Sequence, residues 1–214
     1  ENTISINDNT IAPRADDFSL GAEREIIDDL AAKLYFTAKF TKNLHAADEL
    51  NLLWDEDGYN IIGSSNGNFV TYPRIRTPDI AERNYLRTDF GINKVWSNRW
   101  EAQANYSYTV SRGSAQGTPA TFLYVPQQVD YYLNGYLGTD IRHDITTGFA
   151  WELPDDPWTT RIGGTFFLES GYPISRFYNN GNYGDYGNGA ILKDTIGSYA
   201  RTKTWWELNL LIQQ

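Results

Sequence analysis

The chain has no cysteine and only two histidines, His45 and His143. No disulfide framework can brace it, no thiolate can bind a metal, and two distant imidazoles make a poor zinc site. It lacks any run of about 18 consecutive apolar residues, which excludes a transmembrane helix. It also lacks basic charge: 18 Lys and Arg stand against 27 Asp and Glu, a net charge of −9. Nucleic-acid phosphates need the opposite balance, so no nucleic-acid partner is expected. The opening ENTISINDNT is mainly polar and has neither the basic nor the apolar region of a secretory signal. The chain is therefore expected to be either mature or an internal piece.

What it does have is aromatic residues, 15% of the chain with 15 Tyr and 7 Trp, and long stretches of alternation. In LAAKLYFTAKF, residues 30–40, Leu30, Ala32, Leu34, Phe36, Ala38 and Phe40 share one face. Ala31, Lys33, Tyr35, Thr37 and Lys39 share the other, the period-two signature of a β-strand. Residues 17–26, 85–94, 100–110, 142–153, 158–169 and 204–212 repeat the pattern. The cleanest, WEAQANYSYTV, sets Trp100, Ala102, Ala104, Tyr106, Tyr108 and Val110 against Glu101, Gln103, Asn105, Ser107 and Thr109.

The connections alternate strictly in length. Ile27–Asp29, VWSNR and PDDP are short, whereas residues 41–84, 111–141 and 170–203 are long, polar and rich in Gly, Asn, Asp and Tyr. Compact soluble domains usually connect elements in about 4–6 residues, but outer-membrane barrels have short periplasmic turns and long extracellular loops. Strands of about 11–13 residues, tilted about 45°, span roughly 25–30 Å along the membrane normal. Trp96, Trp100, Trp151 and Trp158 cluster near the short turns, as an interfacial girdle would. Mean hydropathy of −0.52 is no objection, because a barrel strand averages a lipid-facing and a polar side. The expected fold is all-β: seven strands of an antiparallel transmembrane β-barrel. Residues 1–214 form part of a single barrel domain, with both sheet edges paired to strands beyond this sequence. A soluble sandwich or lipocalin-like barrel is the alternative.

Several stretches are similar to those of TonB-dependent outer-membrane receptors. TIAPRADDFSLGAEREIIDDLAAKLYFTAKFTKNL resembles their Pro-Arg approach to an E-x-x-x-G-x-E-R-E strand with its returning partner. RNYLRTDFGINKVWSNRWEAQANYSYTVSRGSAQG resembles the next hairpin, DIRHDITTGFAWELP the D-x-R-H strand, and FFLESGYPIS the S-G-x-P strand exit. The resemblance is to the Oar-type group, which carries a carboxypeptidase-regulatory-like domain before the plug. It implies the C-terminal third of a 22-stranded barrel in the outer membrane of a Gram-negative cell. It further implies uptake of an unidentified ligand. The partners it implies are the remaining strands and plug, outer-membrane lipid and lipopolysaccharide, and TonB through a part absent here. A non-transporting surface receptor, adhesin or assembly component using the long loops is the alternative function.

No catalytic constellation emerges, and no enzyme activity or cofactor is expected. Asp155 and Asp156 lie in a Pro-flanked turn that their geometry explains. His143 reads as a rim hydrogen-bonding residue. WDEDGYN offers Asp55 and Asp57 to calcium, but Asn60 and Asn66 stand where an EF-hand needs Gly and Glu. The polar faces carry Arg87, Asp89, Glu101, Arg142, Asp144, Arg161 and Glu169, which suit charge ladders of a barrel wall. Of these, Arg87, Arg142 and Asp144 are candidates to line a ligand route. Tyr183, Asp185 and Tyr186, in the Gly-Asn-Tyr mixture of NYGDYGNG, are candidates for adaptable recognition.

Overall fold

The computed structural model describes residues 5–56, 61–69, 72–79, 81–114, 134–154, 157–179 and 190–214. Seven long strands dominate: β1 (Arg14–Ile27), β2 (Leu30–Lys42), β3 (Arg83–Ser97), β4 (Trp100–Gly113), β5 (His143–Glu152), β6 (Arg161–Glu169) and β7 (Trp205–Gln213). Each pairs antiparallel with its neighbour in sequence, giving one meander from β1 to β7. The sheet does not close on itself, and β1 and β7 are its edges.

Register follows the apolar alternation, since a one-residue slip would turn every side chain to the wrong side. Ala22, Leu34, Phe90, Tyr106, Ile145, Leu168 and Trp206 form one continuous cross-strand row over all seven strands. On the opposite face, Glu23 lies across from Lys33, Tyr35 from Asp89, Ser107 from Asp144, and Glu152 from Arg161. The short turns are tight. Asn98 and Arg99 both have positive φ, 51° and 68°, as the two-residue turn favoured by twisted hairpins requires. Gly21 has a different reason to be glycine: an added Cβ would stand 2.1 Å from the Tyr35 ring, which lies across it.

The apolar face covers nothing. Leu20 is 77% exposed, Leu34 53% and Leu210 69%, and the exposure runs the width of the sheet. An apolar surface of this extent is far beyond the few hundred Å² that a monomer in water normally tolerates. Among the described residues, the buried apolar side chains apart from Ala38 all lie in the long connections: Leu44, Ala46, Leu52, Ala81, Leu137 and Ile196. The sheet thus has an exposed apolar face, and the small cores sit at its long-connection end. No helix of the described residues is long and apolar enough to cross a membrane.

Those long connections are more ordered than their composition implies. Ala46–Glu49 pairs antiparallel with Pro73–Arg76, which takes Ser5–Ile6 in parallel on its other side. Leu52–Trp54 pairs with Ile61–Ser64, Pro173–Ile174 with Ala200–Arg201, and Phe177–Asn179 with Ala190–Leu192. Gly135–Tyr136 extends the end of β4. These strands have two to four residues, too short for alternation to register against a polar background.

Candidate functional site

Arginine and aromatic chemistry gathers at the long-connection end of β4 and β5. Tyr136, paired with Arg112 in register, continues the apolar side of β4 beyond Tyr106, Tyr108 and Val110. Three guanidinium carbons surround its ring, from Arg112 at 4.3 Å, Arg142 at 5.0 Å and Arg201 at 5.5 Å. Arg112 also donates to the Tyr136 hydroxyl, and Arg142 lies 5.8 Å from the Tyr108 ring. Below them, the Tyr106 hydroxyl meets His143 Nδ1 at 2.9 Å, and the imidazole lies nearly parallel to the Tyr106 ring and tilted against that of Tyr108.

One fully buried carboxylate organises this cluster. Asp140 Oδ2 accepts from the Ser111 amide at 2.7 Å, and Oδ1 accepts from Arg142 at 3.0 Å and from Arg201. Arg201 Nη1 further donates to the carbonyls of Asp140 at 2.8 Å and Gly171 at 3.0 Å. Asp140 therefore ties β4 to both connections that follow, 111–141 and 170–203. Ile196 closes the joint: its carbonyl takes the Tyr136 amide at 2.9 Å, and an added Cβ at Gly135 would strike it. The guanidiniums of Arg142 and Arg112 hold the Tyr136 hydroxyl below the ordinary tyrosine range. Burial opposes the charge on Arg142, but hydrogen bonds with Asp140, Tyr136 and Tyr108 outweigh it and raise its pKa.

A second polar group lies on the other face, within the long strands. Arg87 Nε donates to Asp89 Oδ1 at 2.7 Å and Arg87 Nη2 to Ser107 Oγ at 2.9 Å. Ser107 Oγ in turn donates to Asp89 at 2.5 Å. Asp144 stands across from Ser107, and Glu169 across from Asp144, so the row crosses β3 to β6. Nearer the short turns, Gly148, Ala150, Gly163 and Gly164 thin the wall. A hollow of about 560 Å³ opens there beside Glu101, Gln103, Thr165 and Asn209.

The structure sets Arg87 beside the row that holds Asp144, bonded to its Asp89 and Ser107, and separates Arg142 from both. Arg142 precedes β5, and Asp140 draws its guanidinium onto the rim cluster rather than the polar wall where the alternation sets it. Tyr183, Asp185, Tyr186 and Asp57 lie outside the described residues, as do Asp155 and Asp156. Asp55 is described, and among the described residues no group of three or more His, Asp or Glu is placed to hold a metal ion. Periodicity missed Asp140, Tyr136, Arg112 and Arg201, because a loop clamp has no period. The D-x-R-H segment did carry a trace of it, since its Asp is Asp140 and its Arg is Arg142.

The short-turn end carries its own cation–aromatic pairing. Lys94, on the apolar side, donates to Ser97 and to the Val95 carbonyl, and its Nζ lies 5.0 Å from the Trp100 ring. Arg161 lies 5.2 Å from Trp96. Trp100 and Tyr108 are eight positions apart on β4, as Trp151 and His143 are on β5. At about 3.3 Å per residue, the two groups of aromatic residues stand roughly 26 Å apart along the strands.

No protein-family model matches the chain, and no curated protein matches its sequence. Solved structures do resemble its fold. The FrpB iron transporter of Neisseria meningitidis superposes with a TM-score of 0.53 at 13% identity, over 97% of this chain and 25% of that one. The outer-membrane transporter YddB of Escherichia coli superposes with a TM-score of 0.57 at 8% identity, over 94% of this chain and 26% of that one. The chain thus spans about a quarter of each. Its fold resembles a fragment of a larger outer-membrane barrel.

Proposed function

We propose that residues 1–214 are part of the barrel wall of a TonB-dependent outer-membrane transporter of the Oar type, which takes up a ligand through an internal plug. The observation that carries the reading is the open seven-stranded meander with an outward apolar band between two aromatic belts. Hydrocarbon tolerates no unpaired strand edge, so β1 and β7 pair with further strands of the same barrel. Folded long connections stand outside the cell, and the tight turns face the periplasm. The two structural neighbours are an iron transporter and an outer-membrane transporter, which favours transport over passive diffusion. Arg87, the row of Asp89, Ser107 and Asp144, and the thinned wall beside Gln103 face the lumen, where a plug or a passing ligand touches them.

A photo-crosslinking residue in place of Asn105, in the intact protein, tests the plug. The expected result is a crosslink to a segment of the same polypeptide outside residues 1–214, together with a barrel that conducts no ions in a planar bilayer. An open, ohmic conductance without such a crosslink contradicts the reading and makes the barrel a pore.

A further inference from the structure

The rim cluster carries more positive charge than its structural task consumes. Asp140 is a single carboxylate, yet it faces Arg142 and Arg201, and Arg112 stands against the same Tyr136 and donates to its hydroxyl. Glu82, two residues before Asn84 on β3, accepts from the Asn84 amide. Arg112 Nε is buried and has no hydrogen-bond partner. Three guanidiniums converging on one ring repel one another, and a buried donor left unmade is costly. An anion bridging them offsets that repulsion. The lowered pKa of the Tyr136 hydroxyl reports the same excess of positive potential.

The position of the cluster selects the anion. It continues the apolar side of β4 and β5 directly above Tyr106, Tyr108 and His143, the aromatic belt at the long-connection end. Aromatic belts mark the level of lipid headgroups. Planar guanidiniums bind phosphate oxygens in pairs, a geometry a lysine cluster lacks.

We propose that Arg112, Arg142 and Arg201 form, around Tyr136, a binding site for the phosphate group of an outer-leaflet glycolipid headgroup. Arg112 supplies guanidinium charge that Asp140 does not engage. Arg142 and Arg201 supply charge from a framework already fixed by Asp140. A bound headgroup therefore braces the joint between connections 111–141 and 170–203 from the lipid side. The assignment rests on the outer-membrane reading of the sheet.

The test uses the intact protein in detergent, with heat-modifiable migration as the check that the barrel is folded. Bis-phosphorylated lipid A, the same lipid freed of phosphate, and inorganic phosphate are each titrated by native mass spectrometry. Lipid A is expected to bind about tenfold more tightly than its phosphate-free form, the scale of one charged hydrogen bond. Arg112→Gln should lose about the same factor, and Arg112→Lys should recover part of it. Arg112 is the residue to change because it does not hold Asp140, so loss of fold does not follow from its removal. Equal binding of the two lipids by folded protein, or an unchanged Arg112→Gln variant, overturns the site and leaves the membrane reading intact. Full displacement of lipid A by millimolar inorganic phosphate overturns the lipid assignment in favour of a soluble phosphate ester. A protein that never forms a heat-modifiable barrel overturns the membrane reading and the site together.

Discussion

Replacing Asp140 by alanine should release the outer joint while sparing the barrel. The carboxylate is fully buried and takes bonds from the Ser111 amide, Arg142 and Arg201. Removing one partner of a buried charge cluster costs about 3–5 kcal/mol. The guanidiniums retain 22% and 30% exposure, so water recovers part of that, and about 2–3 kcal/mol is the expected loss. The cost falls on local opening, because only the outer end of β4, at Ser111, shares in these bonds and the rest of the long strands does not. Hydrogen exchange read by mass spectrometry is the direct assay. The Ser111 amide should exchange about 30- to 150-fold faster in Asp140→Ala, the factor equivalent to that free energy. Peptides of β2 should not change. Asp140→Asn keeps an acceptor for Ser111 and loses the charge, so its effect should be intermediate. Unaltered exchange at Ser111 in a folded Asp140→Ala protein would refute the view that this carboxylate holds the connections together.

The other predictions concern the sheet. Leu34→Arg should cost about 2–4 kcal/mol in denaturant-melting experiments on the intact barrel, the penalty for a charge at mid-depth in lipid, whereas Lys33→Arg on the polar face should cost little. Gly21→Val should cost about 1–3 kcal/mol in the same assay, because its side chain must displace the Tyr35 ring. Arg99→Gly should stabilise by about 0.4–1 kcal/mol, since Arg99 holds a positive φ of 68° in a turn that favours glycine. Cysteines at Ser65 and Lys193, both exposed, should react with an impermeant thiol reagent on whole cells, and cysteines at Asp28 and Asn98 should not. The reverse labelling would invert the topology.

Strand positions were legible because one force sets them. Alternation marks 30–40 as a strand, and the structure extends it only to Leu30–Lys42. The same agreement holds at 100–110 against Trp100–Gly113. Ends shifted where local chemistry replaced the pattern: β6 begins at Arg161, because Thr159 adopts a positive φ of 57° in the preceding turn. The rim was less legible. Arg142 falls on the polar side by counting, but the strand begins one residue later and Asp140 captures its guanidinium. Tyr136 and Arg201 lie 65 positions apart in polar sequence, and only the folded connections bring them together. Pattern reports which side of a strand meets apolar surroundings, and says nothing about which distant loops touch.

The central claim is that the alternating face of these strands meets hydrocarbon, and β2 offers the most direct measurement. A nitroxide is placed in turn at each position from 30 to 40 of the intact protein in lipid vesicles, and its collision rates with oxygen and with a polar nickel complex are recorded. Oxygen concentrates in hydrocarbon, so its collision rate should rise and fall with period two, with maxima at the exposed apolar positions Leu34 and Phe36. The nickel complex should be in antiphase, with maxima at Lys33, Tyr35 and Thr37. Oxygen rates without a period-two maximum at Leu34 and Phe36, in a folded protein, would contradict the membrane account.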